Sequence, residues 1–179
     1  MELYEMLKQR TDLKSLLCKW DFKVWSISND DYTNCVIIMF ESLGLVQEYD
    51  IDLAKLKQFG KTLQKNYYDN PYHNFMHAMD VAQMCYLFMT KSKVRHYLRK
   101  HEMLVLLVSA FCHDLCHPGL NNPFQINAKT DLALLYNDMS VLENHHCCQT
   151  FKILKEEKNN ILSTLSGQEH KGKFSEKFL

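Results

Sequence analysis

The sequence predicts an all-α fold, one domain of several helices around a single core. Three observations carry this. From Met103 to Phe111 nearly every residue is apolar, a bounded run that fits a helix buried on most sides. Elsewhere apolar residues recur at helical spacing between cap and stop signals, as from Asp30 or Asp31 to Gly44 and from Asp52 to Asn70-Pro71. Only Asp21 to Ile27 alternates polar and apolar like a short extended segment, with its aromatics covering the core.

Taken in order, residues 1–19 form a loosely amphipathic helical segment through Leu3, Met6, Leu7, Leu13, Leu16 and Leu17. The helix capped by Asp30 or Asp31 buries Val36, Ile37, Met39, Phe40 and Leu43. Asp52 caps another through Leu53, Leu56 and Phe59 to Tyr67 and Tyr68, and the residue before Pro71 disfavours helical geometry. The next begins near His73 and buries Met76, Ala78, Val81, Met84, Cys85 and Phe88. Lys91 to Lys100 is a basic, solvated connection. After Phe111 come the turns Pro118-Gly119 and Asn121-Asn122-Pro123, then short helical pieces around Phe124–Ala128 and Asp131–Tyr136. Ser140-x-x-Glu143 reads as a capping box at the head of the last helix.

Composition narrows the function classes. At 179 residues and 46% apolar the chain suffices for one real core. Lys plus Arg and Asp plus Glu are 21 each, so no net field draws nucleic acid or an acidic membrane. No apolar run reaches bilayer length, and Glu2, Glu5 and Lys8 interrupt any secretory core, so no membrane insertion is expected. Seven cysteines without disulfide spacing point to a reducing, cytoplasmic setting. Cys112 and Cys116 read as buried free thiols, with a share in a zinc site as the alternative.

The chemistry gathers where the apolar run ends, at His113-Asp114. A carboxylate at the edge of a core is costly unless paired, and a divalent cation is one way to satisfy it. If the helix continues to Cys116, His113 and His117 share a face; His73 and His77, also four apart, do the same upstream. One such pair alone is more often structural. Two pairs with an adjoining aspartate point to a two-metal hydrolytic site, zinc on the imidazoles and magnesium or manganese sharing the carboxylate.

Tyr72-His73-Asn74-x-x-His77, His113-Asp114-x-x-His117-Pro118-Gly119 and Leu142-Glu143-Asn144-His145-His146, in this order, resemble the class I cyclic nucleotide phosphodiesterases. The likeness runs from about Trp20 to Gly167. Asp69 to Phe75, Phe124 to Asn127 and Tyr136 to Asp138 are most similar to the cGMP-specific type-nine branch. The resemblance implies a multi-helix HD-type catalytic fold that hydrolyses cGMP, or less readily cAMP, to the 5'-monophosphate in signal transduction. It implies His73 as proton donor to the leaving oxygen and His77, His113 and Asp114 as metal ligands, with Asp114 bridging Zn2+ and Mg2+ (or Mn2+). His117 and Glu143 would hold water beside the metals, which competes with the capping role of Glu143; His145 and His146 would be structural.

Two departures stand out: Cys116 where the family writes aspartate, and Asp80 where the type-nine branch has none. The family's catalytic domain also runs about as long again, and its second part supplies a last aspartate ligand and the residues that grip the base. Residues 168–179 read as a divergent polar tail after a 20–167 half-domain. The chain by itself is therefore expected to be inactive and prone to self-association. A phosphohydrolase of the wider HD superfamily acting on another nucleotide, and a non-catalytic metal-binding fragment, remain the alternatives.

Overall fold

A computed structural model describes residues 10–165; the expectations for residues 1–9 and for the 168–179 tail lie outside the described residues. Helices α1 (Thr11–Leu17), α2 (Tyr32–Ser42), α3 (Leu45–Glu48), α4 (Leu53–Asn66), α5 (Phe75–Lys91), α6 (Lys100–Cys112), α7 (Asn122–Asn127), α8 (Asp131–Leu135) and α9 (Val141–Lys155) are joined by short turns, and no strand occurs among the described residues. The all-α expectation holds.

α6 is the central element. Met103, Leu104, Val105, Leu107, Val108, Ala110, Phe111 and Cys112 are all buried, as the apolar run requires, and Glu102 accepts from the Arg99 backbone N–H to close its first turn. It packs along α5, while α2 lies on α4 and α9 touches α4, α6, α7 and α8. Asp52 caps α4 as expected, accepting from the N–H groups of Ala54 and Lys55. α4 ends at Asn66, short of the expected Tyr68. At the head of α2, Asp31 makes no side-chain cap. Its carboxylate instead takes the Arg10 guanidinium at 2.7 Å, which fastens the start of α1.

Three local expectations are corrected. Val24–Ser26 is a 3-10 turn rather than an extended segment; Val24 and Ile27 are buried, but Trp25 is 72% exposed and covers nothing. α5 starts at Phe75, because Asn74 caps it by accepting from the His77 N–H, so His73 precedes the helix and shares no helical face with His77. The buried face of α5 is Phe75, Ala78, Met79, Ala82, Gln83, Tyr86, Leu87 and Met89, leaving Met76, Met84 and Phe88 exposed. This helix is apolar nearly all round, so its pattern does not fix which side faces in. The deciding contact is polar and distant: Gln83 donates to the carbonyls of Leu17 and Lys19.

Candidate metal centre

The site forms where the segment between α4 and α5 runs alongside the turn that follows α6. α6 stops at Cys112 with His113 as its C-cap, so His113 and His117 do not share a helical face either. The two segments are laced together instead. Tyr67 donates its hydroxyl to Phe111 O at 2.9 Å and accepts from Asp114 N–H at 3.3 Å. Asn66 O accepts from Cys116 N–H at 3.0 Å. Cys116 lies in the left-handed region with φ 59°, where a side chain other than glycine or asparagine costs about 1–2 kcal/mol. The lacing holds this turn against that cost and aims His113, Asp114 and His117 toward α5.

His77 Nε2, His113 Nε2 and Asp114 Oδ2 converge. His77 and His113 stand 3.1 Å apart, and each approaches the carboxylate oxygen, at 3.3 and 3.1 Å. Ligand atoms about 2.0–2.2 Å from one divalent ion stand roughly 3.0–3.5 Å apart in tetrahedral to octahedral arrangements, so this donor set fits a metal ion. His113 Nδ1 donates to Ala110 O at 2.9 Å, which turns Nε2 toward Asp114, where a bound ion would take its lone pair. A second group that could hold an ion, His73, Asp114 and His117, shares the same aspartate. Here His117 Nδ1 accepts from Gly119 N–H at 2.9 Å, so neutral His117 keeps its proton on Nε2. The His73 and His117 rings stack at 4.0 Å with 5° between planes.

Electrostatics favour an ionised carboxylate and push His77, His117 and His146 toward their neutral forms. Burial pushes Asp114 upward, but its bond to His113 and the nearby His113, His146 and His73 outweigh it and hold the acid at about 2. Burial, then the neighbouring His73, lowers His117 to about 4. His77 is lowered by burial and by His113 beside it, and His146 by burial. His113 moves the other way: burial lowers it, but Asp114 and the Ala110 carbonyl raise it further.

The remaining sequence-predicted residues fall around a cleft of ≈ 820 Å³ lined by His73, His113, Asp114, His117, Glu143 and His146, with α7 as its far wall. Glu143 is no capping box, for Ser140 makes no cap and has φ 42°. Its carboxylate accepts from Asn122 Nδ2 at 3.0 Å, and Asn122 Oδ1 accepts from Leu142 N–H at 2.9 Å, so a residue of α7 caps α9 from outside. His146 is buried and donates Nδ1–H to Leu115 O at 2.7 Å. Asp80 is exposed on α5, and all seven cysteines are free. Sequence reasoning passed over Tyr67, Asn70, Asn74 and Asn122. Asn74 alone carried a local signal, a cap residue just before an apolar helix.

The sequence profile described as 3'5'-cyclic nucleotide phosphodiesterase matches residues 72–177. The chain belongs to this family. It is 45% identical over 161 residues to the 3',5'-cyclic-nucleotide phosphodiesterase regA of Dictyostelium discoideum, covering 89% of this chain and 20% of that protein. It is 42% identical over 149 residues to the human high affinity cGMP-specific 3',5'-cyclic phosphodiesterase 9A, covering 83% of this chain and 25% of that one. The crystal structure of the phosphodiesterase domain of the RhoPDE fusion protein from the choanoflagellate Salpingoeca rosetta superposes with TM-score 0.83 at 39% identity, over 87% of this chain and 49% of that one. The chain thus spans a fifth to a quarter of these two curated relatives and about half of the solved phosphodiesterase domain. No helix among the described residues is long and apolar enough to cross a membrane.

Proposed function

We propose that this phosphodiesterase chain carries the metal-holding and proton-donating side of a site that hydrolyses a 3',5'-cyclic nucleotide, cGMP in preference to cAMP, to the 5'-monophosphate. The observation that carries it is the convergence of His77, His113 and Asp114 at 3.1–3.3 Å beside a cleft that also holds His73. That cleft is within the usual size of a small-molecule site. The cGMP preference rests on the name of the human relative.

His77, His113 and Asp114 would hold one cation, with Asp114 shared with a second; zinc suits the imidazoles and magnesium or manganese the oxygen-rich neighbour. Bound there, the two ions supply charge that lowers the pKa of a water and balances the phosphoryl oxygens. This chain's own residues do the rest. His117, with its proton on Nε2, and Glu143, anchored by Asn122, hydrogen-bond water in the cleft. His73 precedes α5 on a loop and is not one of the converging His77, His113 and Asp114, which leaves it for the role of general acid. Water oxygen attacks phosphorus and releases one proton to solvent, the bond from phosphorus to the 3' oxygen breaks, and His73 delivers its proton to that oxygen.

The test is a chimera in which this chain replaces the matching half of the solved Salpingoeca rosetta domain, assayed by 31P NMR. We expect metal-dependent conversion of cGMP faster than cAMP. His73→Ala should lower turnover by roughly 10²–10⁴-fold with metal content unchanged. Loss of bound metal in that variant would make His73 a ligand instead, and a chimera that folds, binds metal and hydrolyses neither nucleotide would overturn the reading.

A further inference from the structure

We propose that Asn70 is a positioning residue, a clamp that fixes the two facing histidines His73 and His117 relative to each other by holding both of their backbones with one amide. Its role in turnover rests on the function proposed above; its geometry does not.

His73 and His117 come from segments far apart in sequence, and neither sits within a helix. Their rings nevertheless lie parallel, 4.0 Å apart. An imidazole stack between two loops is a weak contact and by itself would let either loop slide. Asn70 supplies the missing constraint. Its Nδ2 donates to His73 O at 3.1 Å and to His117 O at 2.8 Å, so both protons of one amide are used and the two carbonyls are held about one planar group. The clamp is itself fixed, because Asn74, the α5 cap, donates Nδ2 to Asn70 O at 2.9 Å. The His73 loop is thereby referred to the same helix that carries His77.

Gly119 completes the arrangement. It adopts φ +83°, and a Cβ there would meet Asn70 Oδ1 at 2.9 Å. The turn after His117 therefore closes directly onto the amide, while the Gly119 N–H fixes the His117 ring through Nδ1. One asparagine and one glycine thus set backbone and ring of His117 and the backbone of His73. A displacement of about 1 Å at a reacting group can lower turnover about 10²-fold, so a clamp of this kind would act on the reaction without touching substrate.

The test reads the rings, so it needs no turnover and judges the clamp whether or not the chain hydrolyses a nucleotide. In the 179-residue chain labelled with 13C-histidine, with chelator present, stacking shifts the ring carbon-bound protons of His73 and His117 upfield; His73→Gln and His117→Gln assign them. We expect Asn70→Ala to abolish this shift at His73 and His117 while the signals of His77 and His113 keep their positions. Asn70→Asp keeps the shape, removes the donor and should do the same if the alanine variant fails to fold. Gly119→Ala should move the same two signals. Retention of the mutual upfield shift in folded Asn70→Ala or Asn70→Asp, or an equal movement of all four histidines, would overturn the clamp.

Discussion

The two sides of the cleft are built on different principles. The floor, His77, His113, Asp114 and His117, springs from the ends of α5 and α6, whose buried residues Phe75, Ala78, Leu107 and Phe111 belong to the main core. The wall, α7 with α8 packed against it, buries only Gln125 and Ala133 within these helices and exposes Phe124, Leu134, Leu135 and, past the end of α8, Met139. Its order is local and polar: Asn121 caps α7, Thr130 caps α8, and Thr130 also donates to Gln125 at 2.6 Å. Packing fixes the floor to within the tolerance that shared ligation demands, whereas the wall is held by short-range hydrogen bonds, each contributing about 1 kcal/mol.

The sharpest test of this contrast removes one atom's charge from the floor. Asp114→Asn leaves the volume unchanged, but both candidate metal groups contain this aspartate. Affinity for Zn2+ and Mn2+, measured by isothermal titration, should fall by more than the roughly 10- to 100-fold typical of a residue that only orients ligands. Two ions still bound near wild-type strength would refute the shared role. Stability offers the next test. Phe111→Ala empties a fully buried position two residues before His113 and should cost about 3–5 kcal/mol in urea unfolding. Phe124 on the wall is 46% exposed, and Phe124→Ala should stay within about 0.5 kcal/mol. Comparable losses would mean that the wall shares the core after all.

The same contrast explains what could be read in advance. The burial of α6, the Asp52 cap and the short helices of the wall follow from signals a few residues long, and these were legible. Residue types and their order also singled out His73, His77, His113 and Asp114, and the structure brings the last three within 3.1–3.3 Å of one another. Their geometry was not legible. Spacing of four put each histidine pair on one helix, yet Asn74 starts α5 after His73 and α6 ends before His117. The contacts that bring these side chains together, Tyr67 to Phe111 and Asn70 to His117, join residues more than forty positions apart. Glu143 illustrates the limit: Ser140-x-x-Glu143 has the right letters for a capping box, but Asn122, from another helix, supplies the cap and turns the carboxylate to the cleft.

Acid should separate floor from wall by a smaller margin. Unfolded histidines titrate near about 6.5, whereas folded His117 is held down at about 4, and His77 and His146 are also lowered by burial. As pH falls through this window the unfolded chain takes up protons that the folded chain refuses, so stability declines. Asp114, held at about 2, adds a second loss below the ordinary carboxylate range. His113 has the opposite sign: its raised pKa adds stability below about 6.5 that is lost at higher pH, a partial offset by one group against four, since burial also lowers His145. The urea midpoint of the chelated chain should therefore drop between pH 6.5 and 4, and His117→Gln should flatten that slope. The wall from Asn121 to Met139 contains no histidine, so Asn122→Ala should leave the slope as it is.

Asn122→Ala then gives the most specific effect. The substitution removes the amide that accepts from Leu142 N–H and donates to both oxygens of Glu143, at 3.2 and 3.0 Å. Leu142 is buried, so its N–H loses a partner that water replaces poorly, whereas exposed Glu143 is readily resolvated. The expected cost is about 1–2 kcal/mol, in line with loss of a helix cap. Packing between wall and floor is sparse, so this loss should stay in α7 and the first turn of α9. Hydrogen exchange should quicken at Leu142 and its neighbours and leave α6 amides unchanged. Metal affinity should hold as well, since none of His77, His113 and Asp114 is bonded to Asn122. Faster exchange in α6, or a metal affinity that falls with Asn122→Ala, would show that the polar wall supports the floor and that the two are one cooperative unit.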